Sequence, residues 1–100
     1  MRLAISIDRE RIAEFCRKWR VKELSIFGSA LGEDFRPDSD VDVLVVFGEG
    51  AEWDLFDHLH AGEELRLLFA RDADPVEKQA IRNPFRRHHI LNHREVIYAT

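Results

Sequence analysis

The chain reads as a small α+β domain. Two short, largely apolar runs, 24–27 and the β-branched 41–47, alternate with stretches whose apolar residues recur at helical spacing. One hundred residues suffice for one hydrophobic core but not for a second module, so residues 1–100 are expected to form a single domain. No internal repeat, low-complexity tract or linker interrupts them.

Asp8 is placed as an N-cap, with Ile7 and Ile12 set as a hydrophobic staple across the first helical turn. Ile12, Phe15, Cys16 and Trp19 follow on one helical face, a core-packing stripe, while charged residues cover the rest. Residues 24–27 form a first short strand. The segment 28–39 reads as a short helical turn plus a loop, broken at Pro37-Asp38. Residues 41–47 are a second strand, whose nearly unbroken apolar character makes it central. Gly48-Glu49-Gly50 ends it. A helix then runs from about residue 53 to 69, carrying Leu55, Phe56, Leu59, Leu65 and Leu68, with a slip of phase near Gly62. Residues 73–76 are a short third strand, Asn83-Pro84 opens a last helix to about residue 91, and 95–99 are a fourth strand. Trp19 and Trp53 read as core or near-core residues.

Composition excludes several classes of function. A net charge of −4 argues against sequence-independent nucleic-acid binding, which runs on basic surface. The longest apolar run, 43–47, is far too short to span a membrane, and the first six residues do not form a secretory signal. Cys16 is the sole cysteine, so no intrachain disulfide can form and a reducing, cytoplasmic setting suits the chain.

Residues 28–42, GSALGEDFRPDSDVD, hold the chemistry. Successive strand side chains alternate faces, so Asp40 and Asp42 project from the same side. Two like charges so close gain nothing from packing, but Mg²⁺ is commonly held by one or two carboxylates plus substrate phosphates. A solvated strand end is the simpler alternative. An EF-hand loop beginning at Asp38 fails, because Val43 stands where that loop needs glycine. Gly28 lets backbone approach a ligand closely, and the free N–H groups of a helix start at Ser29 favour phosphate. Lys78, Arg82, Arg86, Arg87, His88, His89, His93 and Arg94 make the tail locally basic; a solvated helix face is the simplest reading, and docking of an acidic partner or contact with nucleic acid are the functional ones. His89 and His93 have the spacing of a helical metal pair, yet no HExxH-type carboxylate accompanies them.

The stretch FGSALGEDFRPDSDVDVLVVF resembles the signature of the polymerase β-like nucleotidyltransferases, in particular the minimal nucleotidyltransferase family, and DPVEKQAIRNPFRRHHILNHREVIYA resembles their C-terminal part. The resemblance covers the chain from about residue 24 to 99. It implies a small mixed β-sheet with helices packed against it, and a third carboxylate on a later strand, for which Asp74 is the matching position. Asp40, Asp42 and Asp74 would then be the catalytic, metal-holding residues of a two-Mg²⁺ site, with Gly28, Ser29 and Ser39 binding the nucleotide. Three departures stand out. Pro75 replaces an aliphatic strand residue, which suits an edge strand better than a central one. Asp74 before it could be only a turn residue, and Asp72 is the nearest competitor. Leu31 and Gly32 lie where related sequences often carry a basic residue, leaving Arg36 as the turn's own cation.

What the resemblance implies about activity is transfer of a nucleoside monophosphate, AMP from Mg·ATP, to a hydroxyl. Larger relatives carry a further domain that binds the acceptor, so here a second protein is expected to supply it. Minimal nucleotidyltransferases are commonly antitoxins beside an all-helical HEPN ribonuclease toxin, which they silence by adenylylation. Steric masking of that partner by a weak or inactive domain is the alternative reading. Transfer to RNA or to a small molecule such as an aminoglycoside fits less well.

Overall fold

The computed structural model describes residues 7–28 and 40–100. Helix α1, Arg9–Trp19, starts where Asp8 accepts a hydrogen bond from the Arg11 N–H at 3.2 Å and stops at Arg20, whose left-handed backbone returns its N–H to the Cys16 carbonyl. Ile7 packs against the core to which Ile12 belongs, as a staple requires. Strand β1, Val21–Phe27, follows at once and begins earlier than expected from sequence. The polar pair Lys22-Glu23 hides its start in the pattern, and the pairing with β2 shifts register between Val21 and Glu23.

Strand β2 is Val41–Phe47, as expected, and helix α2 is Leu55–Phe69. A capping box fixes the helix start: Asp54 accepts from the Asp57 N–H at 2.8 Å, and Asp57 accepts from the Asp54 N–H at 3.1 Å. Trp53 stays outside the helix. Its ring stands edge-on to Trp19 and Phe47, with centroids 5.8 and 5.0 Å away, and its indole N–H donates to the Trp19 carbonyl at 3.0 Å.

Strand β3, Ala73–Glu77, leads through a 3-10 turn, Lys78–Ala80, to α3, Pro84–Asn92, and then β4, Arg94–Ala99. Asn83 caps α3 by accepting from the N–H groups of Phe85 and Arg86, and Pro84 takes the first helical position, where its missing N–H costs nothing. The sheet order is β3-β2-β1-β4, with β1 antiparallel to both β2 and β4, and β2 parallel to β3. This is a mixed sheet in which β2 is central. Strand β3 is an edge, so Pro75 can be accommodated there.

Two apolar clusters hold the layers together. On one face, Ile12, Phe15 and Cys16 of α1 and Ala61, Leu65 and Phe69 of α2 pack with Leu24, Ile26, Val41, Val43, Val45 and Ile97. On the other, Ile90 of α3 and Ile81 pack with Phe27 and Leu44. One expectation fails at α2. Leu55, Phe56 and Leu59 do not face the core: they are 70%, 70% and 53% exposed. Gly62 lies 3.6 Å, measured from an ideal Cβ, from the Pro75 ring, so the small Ala61-Gly62 pair lets the helix seat closely on β3. In the second half of the helix the buried face is Ala61, Gly62, Leu65 and Phe69. In the first half the stripe is continued by half-buried His58, bonded to Glu77 at 2.9 Å.

Candidate active site

Alternation along β2 divides its side chains between the layers. Val41, Val43 and Val45 are fully buried in the α1–α2 cluster, while Leu44 belongs to the α3 cluster. Asp42 shares Leu44's face. In the parallel register Asp42 lies opposite Asp74 and Leu44 opposite Val76, so both carboxylates leave the sheet on the α3 side, at the end where β2 and β3 begin. Asp40 is exposed just before β2, in phase with Asp42. On the other side of Asp42, β1 contributes Phe27 as its register partner, followed by Gly28.

Gly28 is required there for two reasons. Its φ of +76° is a left-handed conformation, and a Cβ at this position would collide with the Asp42 carboxylate. The missing side chain therefore lets the Asp42 carboxylate lie against the backbone at the end of β1.

Electrostatics marks Asp42 out. Burial pushes its carboxyl above the ordinary aspartate value, the charges of Asp74 and Asp40 push it further, and Arg86 pulls it back. A carboxylate that suffers both desolvation and like-charge repulsion is one that a cation relieves. Among the described residues, no three His, Cys, Asp or Glu side chains are gathered tightly enough to hold a metal ion by themselves. The long-range coupling of Asp40, Asp42 and Asp74 and the lack of a closed three-ligand cage are compatible. Hard oxygen donors opposite each other on neighbouring strands suit Mg²⁺, which keeps part of its shell for phosphate and water.

The other sequence candidates separate. Ser29 and Ser39 lie outside the described residues. Asp72 lies before β3; its carboxylate is exposed and pairs with Arg66 of α2 at 3.4 Å, and its carbonyl accepts from the Val41 N–H at 2.9 Å. The His89 and His93 rings stack with centroids 4.3 Å apart, and His93 Nδ1 donates to the His89 carbonyl at 2.8 Å. That ring nitrogen is thereby unavailable to a metal. Arg86 is the residue that sequence reasoning missed. In the sequence it reads as one of a solvated basic run, and its position one turn before Ile90, which is buried, is the signal that it differs from Arg87.

Comparison with known proteins accords with this geometry. The family model for the nucleotidyltransferase domain matches residues 9–97. A provisionally named protein adenylyltransferase of Methanocaldococcus jannaschii is 33% identical over 84 residues, which cover 84% of this chain and 87% of the relative. The solved structure of a provisionally named minimal nucleotidyltransferase is 31% identical, covers 86% of this chain and 85% of its own, and superposes with a TM-score of 0.65. The fold is shared by a chain from a toxin–antitoxin structure with AMP-PNP, at 16% identity, 94% and 75% coverage and a TM-score of 0.74. It is shared too by a chain from the complex of the tri-AMPylated HEPN toxin of Shewanella oneidensis with MNT antitoxin, at 15% identity, 92% and 70% coverage and a TM-score of 0.66. The protein described here belongs to the nucleotidyltransferase domain family and has the fold of the minimal nucleotidyltransferases.

Proposed function

We propose that the chain transfers AMP from Mg·ATP to a hydroxyl of a partner protein, and that the partner is a helical HEPN ribonuclease toxin which it silences as an antitoxin. The observation that carries this reading is the register pairing of Asp42 with Asp74, next to Gly28, whose missing side chain lets the Asp42 carboxylate lie against the end of β1. The acceptor class is supported by the adenylyltransferase name of the M. jannaschii relative and by the AMPylated toxin in a structure of the same fold.

In this reading Asp42 and Asp74 hold the metal, and Asp40 joins them from the strand mouth. When bound, Mg²⁺ supplies charge neutralisation at the triphosphate and a lowered pKa at the acceptor hydroxyl. Gly28, with Ser29 and Ser39, lines the phosphates. The acceptor oxygen forms a bond to the α-phosphorus while the bond to pyrophosphate breaks, and the hydroxyl proton leaves to solvent. Catalysis of such a transfer rests mainly on positioning and electrostatics, which is what a preorganised pair of strand carboxylates provides. The proposed setting is the cytoplasm. Cys16 suits it: buried, with its thiol pushed up to about 12, it is inert packing. Among the described residues no helix is long and apolar enough to cross a membrane.

The test is incubation of the purified protein with α-labelled ATP, Mg²⁺ and the product of the neighbouring gene. Covalent label on the partner, reduced about a thousandfold or more by Asp42→Asn, is the expected result. A stable but unlabelled complex overturns the transferase reading in favour of steric masking.

A further inference from the structure

Helix α3 is seated on the sheet by Ile90, which is buried against Phe27 and Leu44. Arg86 lies four residues earlier, on the same side of the helix, so the packing of Ile90 places Arg86 over the face from which Asp42 projects. Its guanidinium is exposed and acts on Asp42 from beyond contact. Of the arginines in the ion pairs among the described residues, Arg66 is committed to Asp72 and Arg94 to Glu23, whereas Arg86 closes no ion pair within 4 Å. A cation is thus held at the site without being used up by it.

The surroundings give that cation a task. The site itself is acidic, with Asp40, Asp42 and Asp74 at one end of the sheet. A triphosphate entering this acidic surface meets repulsion that the metal relieves at the carboxylates but not along the whole phosphate chain. A planar guanidinium with five donors is the side chain best shaped for phosphate oxygens.

We propose that Arg86 is a positioning residue that binds the phosphates of the nucleotide beyond the α-position and orients the triphosphate for transfer. This inference rests on the proposed function above. Burial argues that the residue can be changed safely, since its side chain is exposed and supports no packing.

The experiment measures affinities of the whole protein for a non-hydrolysable ATP analogue and for AMP, with Mg²⁺, in wild type, Arg86→Ala and Arg86→Lys, each checked for unchanged thermal unfolding. The expected result is a loss of roughly tenfold or more for the ATP analogue in Arg86→Ala, little change for AMP, and partial recovery in Arg86→Lys, because a charged hydrogen bond to a distal phosphate is lost. Wild-type affinity for the ATP analogue in Arg86→Ala, or an equal loss for AMP, overturns the assignment while leaving the proposed function standing. Failure of the wild type to bind either nucleotide overturns both.

Discussion

The two faces of one sheet differ in what they ask of the same strand. Toward α1 and α2, β2 presents Val41, Val43 and Val45, none of them accessible to solvent, within a cluster that draws on six of the structural elements. Toward α3 the strand presents Asp42 and Leu44, and the cluster there is small. The first face has apolar surface to bury and supplies stability. The second gives up burial at its open end, where Asp42 is pushed up by desolvation and by its acidic neighbours. Strand alternation allows stability and chemistry to be placed back to back without compromise, because a single residue step changes the side. The lesson is that this site is stabilised from behind.

Substitutions on the two faces should therefore separate stability from transfer. The largest effect on stability is expected from Leu65→Ala, a fully buried side chain of the α1–α2 face, which should lower unfolding free energy by about 2–5 kcal/mol in denaturant titrations. Transfer per folded molecule should remain at the wild-type level; a matching loss of turnover would break the division between the faces.

Gly28→Ala tests the boundary between them. The left-handed backbone and the collision with the Asp42 carboxylate should cost about 1–3 kcal/mol. Transfer should fall beyond what the lost stability explains, since the carboxylate must move. A variant that is destabilised yet fully active would show that Gly28 serves only the turn.

The smallest and sharpest test concerns pH. The folded-state pKa of Asp42 is raised from 3.8, so the native state binds its proton more tightly than the unfolded state does. The sign follows: the favourable contribution is fully present below the unfolded value and is lost as pH rises through the folded one. Above that window wild type carries a constant penalty that Asp42→Asn lacks. In thermal unfolding without divalent cation, the melting temperature of Asp42→Asn minus that of wild type should grow as pH is raised from below 3.8 and then level off. A difference independent of pH would mean that neither burial nor the neighbouring carboxylates raise the Asp42 carboxyl.

Much of this arrangement is legible locally. Asp8 and Asn83 announce their helices by chemistry that operates within one turn. The 41–47 run declares a central strand because only a strand covered on both sides is apolar at nearly every position. The α2 helix shows where local reading ends. Two apolar phases coexist in its sequence, and in the fold it is Ala61, Leu65 and Phe69 that are buried against α1 and the sheet. Leu55, Phe56 and Leu59 lose that contest and face outward.

By itself the sequence determined the periodicities, the caps and the acidic pair on one side of β2, because each depends on residues within a few positions of one another. Tertiary structure alone decided that Asp74 stands opposite Asp42 and that Arg86 overlooks them. Both facts arise from long connections: the α2 crossover sets the parallel register of β2 with β3, and the burial of Ile90 sets the seat of α3. Register and helix placement follow from which apolar surfaces meet, and no local pattern encodes that meeting.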